Sequence, residues 1–294
     1  MLSKIKEMKY ALFLLPTLSV FAVFMFWPLA YTFYLSFFNW NMIRPTRTFV
    51  GLDNYISIFT SSATLRILGN TGLYIGILLV FNLVMPYILA FALNTVITRF
   101  KSLFKPLFFL PSVLSLVVAT MVYAWILNPI SGPLSILLDG IGINMPIWSS
   151  QQGWVIVGIS LITSWRVFGF NFIVLLGGVS GVPDEVIESA KLDNIPLRKI
   201  FLNIVVPMSS AVGMYVFIMT IVQGLQFVFI PIRLLTQGGP DSHSSNLIYQ
   251  SFHEAFVVFD TGQASALSVL TLILFAFLLW LQFKFVEKRT YYEN

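Results

Sequence analysis

The chain has 294 residues, 57% of them hydrophobic and only 10% charged, with 29 Phe and a formal net charge of +5. Soluble domains carry roughly 25% charged residues, so too few charges are present to cover this apolar surface in water, and lipid is the natural solvent. The lack of Cys excludes disulfides and Cys-ligated metal centres, and the basic residues flank apolar runs, as membrane topology requires, instead of forming a nucleic-acid-binding patch.

Taken from the N-terminus, Lys4, Lys6 and Lys9 precede an uncharged run from Tyr10 to Ile43. That run is too long for a signal-peptide core and reads as a retained first span. A spanning helix needs roughly 20 mainly apolar residues. The segments that qualify lie near Ala11–Phe37, Thr71–Ile97, Pro106–Leu127, Gly153–Gly177, Val205–Ile230 and Ala264–Phe285. The expected fold is therefore all-α, with six transmembrane helices in a single membrane domain over residues 1–294. No span contains an acid, and Arg166 alone places a base at a span's centre. Pro16, Pro28, Pro86 and Pro111 interrupt spans, where each would cost about 3 kcal/mol in a soluble helix interior. Membrane helices tolerate such breaks when neighbours satisfy the freed carbonyls, which implies a packed, kinked bundle.

Counting Lys and Arg by side gives the orientation. The N-terminus, the second loop (Arg99, Lys101, Lys105), the fourth loop (Lys191, Arg198, Lys199) and the C-terminus (Lys284, Lys288, Arg289) carry twelve; Arg44, Arg47, Arg66 and Arg233 on the other side make four. The positive-inside rule puts the first group in the cytoplasm, with both termini there, as an even number of spans requires. The external loops Phe38–Asn70 and Arg233–Gly262 are long enough to receive a partner.

The fourth loop, residues 178–204, is built like a folded device. Pro183-Asp184-Glu185 reads as a helix start, with Pro in the first turn and acids at the positive end of the dipole. Val182, Val186, Ile187, Ala190 and Leu192 supply apolar residues for a short amphipathic helix over Pro183–Asp193. Asn194 follows, a residue that takes left-handed geometry at helix ends, and Ile195-Pro196 restarts the chain towards Pro207. On these residues alone, the loop is either an inert interfacial helix or a docking element, with Glu188 as its charge and Ser189-Ala190 permitting close approach.

These residues resemble the loop of permease subunits of bacterial binding-protein-dependent ABC importers. That loop reads Glu-Ala-Ala, three residues, Gly, nine residues, Ile, one residue, Leu-Pro. Here stand Glu188-Ser189-Ala190, Asn194, Ile204 and Val206-Pro207 at the same spacing. The departures are Ser189, Asn194 and Val206. The likeness covers nearly the whole chain. Phe49-Val50-Gly51-Leu52-Asp53-Asn54-Tyr55 resembles the first external loop of sugar-type permeases, and Trp165-Arg166 resembles the fourth-span region of that group. Leu235-Thr236-Gln237-Gly238-Gly239-Pro240, with Leu247-Ile248-Tyr249 and Glu254-Ala255-Phe256, is similar to the fifth loop of maltose and glycerol-3-phosphate type subunits.

The resemblance implies a multi-pass subunit of the bacterial inner membrane that transports a carbohydrate or polyol phosphate. It implies a second homologous permease, two cytoplasmic ATPases and an external solute-binding protein as partners. Glu188, Ser189, Ala190 and Asn194 take the family's ATPase-coupling positions. The chain has no Gly-rich loop ending in Lys-Ser or Lys-Thr, so ATP and Mg are expected on the ATPases, with no cofactor, metal or catalytic residue in this chain.

Matching by region nominates Trp165, Arg166, Phe170 and Asn171 on the fourth span, and Gln223 and Gln226 on the fifth, for the substrate path, since aromatic faces and amides suit sugars. The competing reading makes the aromatics bundle packing and the Gln residues interhelical hydrogen bonds. Arg166 either faces a cavity or pairs with backbone carbonyls or a partner subunit. Two other classes compete. A secondary transporter or channel for a small polar solute usually carries several ionisable groups inside the membrane, and only Arg166 is present. A membrane-embedded enzyme would draw on His243, His253, Glu254 and Asp260, whose spacing fits no Ser–His or zinc pattern.

Overall fold

A computed structural model describes residues 13–97 and 101–286. Lys4, Lys6, Lys9, Arg99, Lys288 and Arg289, counted above for orientation, lie outside the described residues, as does the side chain of Lys101. The described chain is almost wholly helical. Its one sheet is a hairpin of β1 (Phe38–Asn39) and β2 (Thr48–Phe49), with Phe38 opposite Phe49 and Asn39 opposite Thr48.

Among the described residues five helices are long and apolar enough to cross a membrane, and a bent helix pair makes a sixth if it is taken as one span. The first is α1 (Phe13–Leu35), followed after the hairpin by the short α2 (Asp53–Thr60). Next, α3 (Ser62–Thr95) begins earlier than the apolar run predicts. Arg66, assigned above to a loop, sits in its first turns and forms an ion pair with Asp241. Arg66 holds the Asp241 carboxyl below its usual range, chiefly through that hydrogen bond.

The third span is where expectation and structure part. A continuous helix is predicted over Pro106–Leu127. Instead α4 (Lys101–Val113) and α5 (Leu116–Ile126) meet at 98°. Pro106 and Pro111 weaken the ladder within α4, and Ser115 turns fully extended at φ −61°, ψ 136°. After the short α6 (Pro133–Asp139) come α7 (Trp154–Ser180), α8 (Asp184–Leu192), α9 (Leu197–Ile200), α10 (Ser210–Thr236), α11 (Leu247–His253) and α12 (Thr261–Val286).

Proline shapes these helices in a regular way. A widened π-turn directly precedes Pro28 (Ala22–Phe26), Pro86 (Val80–Val84) and Pro207 (Phe201–Val205). Proline has no N–H for the carbonyl four residues earlier, which frees Phe24, Asn82 and Asn203 to seek other donors.

The chain forms two compact units. One combines the residues up to Ser61 with Gln250–Leu272; the other combines Ser62–Tyr249 with the chain from Ile273. Within the first, Thr261 N–H donates to Trp40 O (2.9 Å) and Ser57 Oγ to Gln263 Oε1 (3.0 Å). Within the second, Asn70 Nδ2 donates to the carbonyls of Ser242, His243 and Ser245 at 2.9–3.1 Å. These bonds join the first and fifth loops, which the charge count puts on one side. Lys191 Nζ donates to Thr95 O (3.3 Å), tying the fourth loop to the end of α3 that leads into the second loop; the charge count puts both loops on the other side.

Candidate functional site

In the fourth loop, Pro183 stands just before α8 as its N-cap, one position earlier than predicted. Asp184 and Glu185 lie in the first turn and Lys191 in the last, so both ends complement the helix dipole. The helix ends in a paired turn. Ile195 N–H donates to Ala190 O and Asn194 N–H to Lys191 O, both at 3.0 Å, while Asn194 takes φ +56°. This is the six-to-one, five-to-two pattern that closes helices on a left-handed residue. A β-branched residue fits that conformation poorly. Asn194→Val is expected to destabilise the loop by about 1–2 kcal/mol, seen as faster proteolysis between α8 and α9, whereas Asn194→Gly leaves proteolysis unchanged or slower.

α8 has two distinct faces. Val182 before it, and Ile187 and Ala190 within it, are buried in a cluster with Phe91, Leu175, Val179 and Ile200. Tyr87 and Phe91 pack edge-on and tilted against Phe201, holding the chain after α9. Small size at Ala190 lets α8 sit close to the bundle. The opposite face carries Glu185, Glu188, Ser189 and Leu192, all exposed and spaced i, i+3, i+4, i+7, so they form one stripe. Leu192, counted above among the inward apolar residues, is 83% exposed. Sequence reasoning missed it as a surface residue, although its spacing from Glu188 and Ser189 carries that information. The loop thus presents a charge, a hydroxyl and an apolar tip on a helix anchored from behind.

The residues nominated for a substrate path do not gather at one place. Trp165 packs edge-on against Tyr123 (5.3 Å) and lines a cavity of about 580 Å³ with Phe81, Phe108, Ser164 and Phe168. Phe170 and Gln226 are exposed and Gln223 is half-buried, and none of the three lines that cavity. Arg166 Nε donates to Leu114 O (3.0 Å), the carbonyl released at the α4–α5 bend, and its guanidinium lies 4.9 Å from the Phe227 ring centre. Ser112 Oγ returns a bond to Arg166 O at 2.9 Å. Of the two readings of Arg166, the carbonyl-paired one describes this geometry.

Asn171 is buried. Its Nδ2 donates to Asn82 O (2.7 Å), the carbonyl that Pro86 leaves free, and to Thr220 Oγ1 (3.2 Å). Asn82 Nδ2 in turn donates to Ser164 Oγ at 2.9 Å. Asn82, Ser164 and Thr220 escaped sequence reasoning, yet a polar residue four before a span proline is a readable signal. Asn171→Leu leaves the Asn82 carbonyl unpaired in an apolar interior. It is expected to cost about 1–3 kcal/mol, read as a lower thermal midpoint of the detergent-solubilised protein.

No protein-family model matches the chain. The probable ABC transporter permease YurN of Bacillus subtilis is 31% identical over 279 residues, covering 94% of this chain and 95% of that protein. The chain belongs to the ABC transporter permeases. The permease is also 28% identical to the sn-glycerol-3-phosphate transport permease UgpA of Yersinia enterocolitica, over 96% of its own length and 95% of that protein's. Its fold superposes at a TM-score of 0.80, with 21% identity and 98% of both chains covered, on a chain of a bacterial ABC transporter that imports alginate. It is a multi-pass membrane protein of the transport kind.

Proposed function

We propose that the permease is one membrane subunit of an ATP-driven importer for a carbohydrate or related polyol phosphate in the bacterial inner membrane. It forms the translocation path with a second, homologous permease. Two separate cytoplasmic ATPases, which hold ATP and Mg, dock at the loop around Glu188, and an external solute-binding protein delivers substrate. The observation that carries this reading is the two-faced α8: Ile187 and Ala190 fix it to the bundle, while Glu188, Ser189 and Leu192 are offered outward. A helix meant only to lie in headgroups would turn its apolar residues to lipid; here two of them face protein. The substrate class follows the name of the glycerol-3-phosphate relative, at 28% identity.

The test is uptake into vesicles holding the permease, its partner permease and the candidate ATPases, with radiolabelled sugars and sn-glycerol-3-phosphate outside. Uptake that requires ATP inside and the binding protein outside is the expected result. Uptake that persists without ATP would favour a secondary transporter or channel. A ligand screen of the cognate binding protein then names the substrate.

A further inference from the structure

Between the first and fifth loops, within one compact unit, lies a polar cavity of about 440 Å³. Its principal lining is Trp40, Asn41, Arg44, Thr46, Thr48 and Asp260. Small-molecule sites occupy roughly 300–1,000 Å³, so its size suits a ligand of one or two sugar rings. The charge count places both of these loops outside the cell.

The walls of the cavity are built rather than merely draped. The β1–β2 hairpin sets Asn39 opposite Thr48, and Val50 N–H donates to Phe37 O at 2.9 Å. Asn41 Oδ1 accepts the N–H groups of Ile43 (3.1 Å) and Arg44 (2.9 Å), a local turn that carries Met42 through φ +59°. Trp40 Nε1 donates to Arg44 O at 2.8 Å, which pins the indole at the cavity wall. On the other wall, Phe259 takes φ +62°, and Asp260 Oδ1 accepts Gln263 N–H (2.9 Å), capping α12. Gly262 lets this corner close: an added Cβ there would overlap Phe38 O.

The internal bonds leave a definite set of groups for a ligand. Asn41 spends its oxygen on the turn and keeps its amide N–H pair; Asp260 spends one carboxylate oxygen and keeps the other. Arg44 adds guanidinium donors, and Thr46 and Thr48 add hydroxyls that donate or accept. Arg44 and Asp260 balance in charge. A phosphate or carboxylate would face Asp260, and an amine would face Arg44. A neutral ligand bearing many hydroxyls meets donors, acceptors and an aromatic face at once.

From this lining we infer that the permease carries an external binding site for a neutral polyhydroxylated solute, such as a mono- or disaccharide. Arg44 and Asp260 contact its hydroxyls and Trp40 supports a ring. The inference does not depend on which solute the transporter imports.

The test uses the assembled transporter in lipid nanodiscs, without ATP or binding protein. Glucose and sucrose are the probes, followed by saturation-transfer NMR, with sn-glycerol-3-phosphate as the anionic control. Binding of a neutral probe, without competition from the anion, is expected. Arg44→Gln and Asp260→Asn, the latter keeping the helix-capping oxygen, are each expected to weaken it about tenfold, the scale of one lost bond to a charged group. Thr46→Trp, which fills the cavity, is expected to abolish it. No binding in the unaltered protein, or binding unchanged in all three variants, overturns the site. If instead the variants leave sugar binding intact but weaken capture of the external binding protein, the cavity receives a protein loop and the sugar site is equally overturned.

Discussion

Glu188→Lys is expected to cut ATP-dependent uptake at least about 30-fold, the effect of breaking a buried interfacial charge pair, while leaving the fold of the permease untouched. Glu188 is exposed and makes no hydrogen bond or ion pair among the described residues, so its replacement removes nothing from the chain's own stability beyond the usual surface range of about 0.5 kcal/mol. Its neighbours on the stripe, Ser189 and Leu192, are equally outward. In the proposed assembly the carboxylate meets basic residues on an ATPase, and a Lys there sets like charges against each other. Two companions separate docking from folding. Leu192→Ser should lower coupled ATP hydrolysis with an unchanged thermal midpoint, because Leu192 is 83% exposed. Ala190→Leu should lower the midpoint itself, because Ala190 is buried against the core cluster and overpacking costs about 1–3 kcal/mol. Pull-down of the ATPase, together with melting of the purified permease, reads both quantities. Full assembly and full uptake with Glu188→Lys would remove the coupling role from this loop.

Gly169→Ala is expected to destabilise the permease by about 3 kcal/mol, the upper end of the overpacking range. At Gly169 in α7, an added Cβ would overlap the carbonyl oxygen of Phe108 and crowd Phe109 Cα in α4. These are backbone atoms, so no side-chain rotation relieves the overlap. Without bulk hydrophobic force between helices in lipid, close backbone approach through small residues supplies much of the packing. The ring cluster of Phe108, Phe168 and Phe172 surrounds the same crossing, with centroids 5.4–6.5 Å apart. Separating the helices there would also strain the nearby bonds between Arg166 and the α4–α5 bend. The measurement is the thermal midpoint and yield of the detergent-solubilised protein. Gly177→Ala is the matched control in the same helix, because a Cβ there meets nothing within 4 Å.

The loop around α8 shows how far local chemistry carries. Its acids, its closing Asn194 and its restart at Pro196 act over a few residues, and the helix with its left-handed end follows from them. What those residues do not specify is which apolar side chains turn inward. Val186 and Leu192 share the hydropathy of Ile187, yet the bundle accepts Ile187 and leaves the other two outside. Burial there depends on Phe91, Leu175 and Val179, contributed by other helices.

The spans divide in the same way. That several apolar segments are long enough to span is readable from composition, because insertion into lipid is decided segment by segment. The 98° break in the third span was not readable, since Pro111 permits a bend while its angle depends on what receives the released Leu114 carbonyl. The internal partners of Arg166 and Asn171 were not readable either. Those partners, Leu114 and Asn82, lie 52 and 89 residues away along the chain. The external polar cavity is the extreme case: the hairpin after α1 and the corner before α12 are ordinary loops when read alone. The sequence by itself therefore determined that this protein crosses the membrane and where its charged helix ends, both properties of short contiguous segments. Only the tertiary structure decided which polar groups are spent on freed backbone carbonyls and which remain for a ligand, because a hydrogen bond in an apolar interior is allotted by proximity between distant parts of the chain.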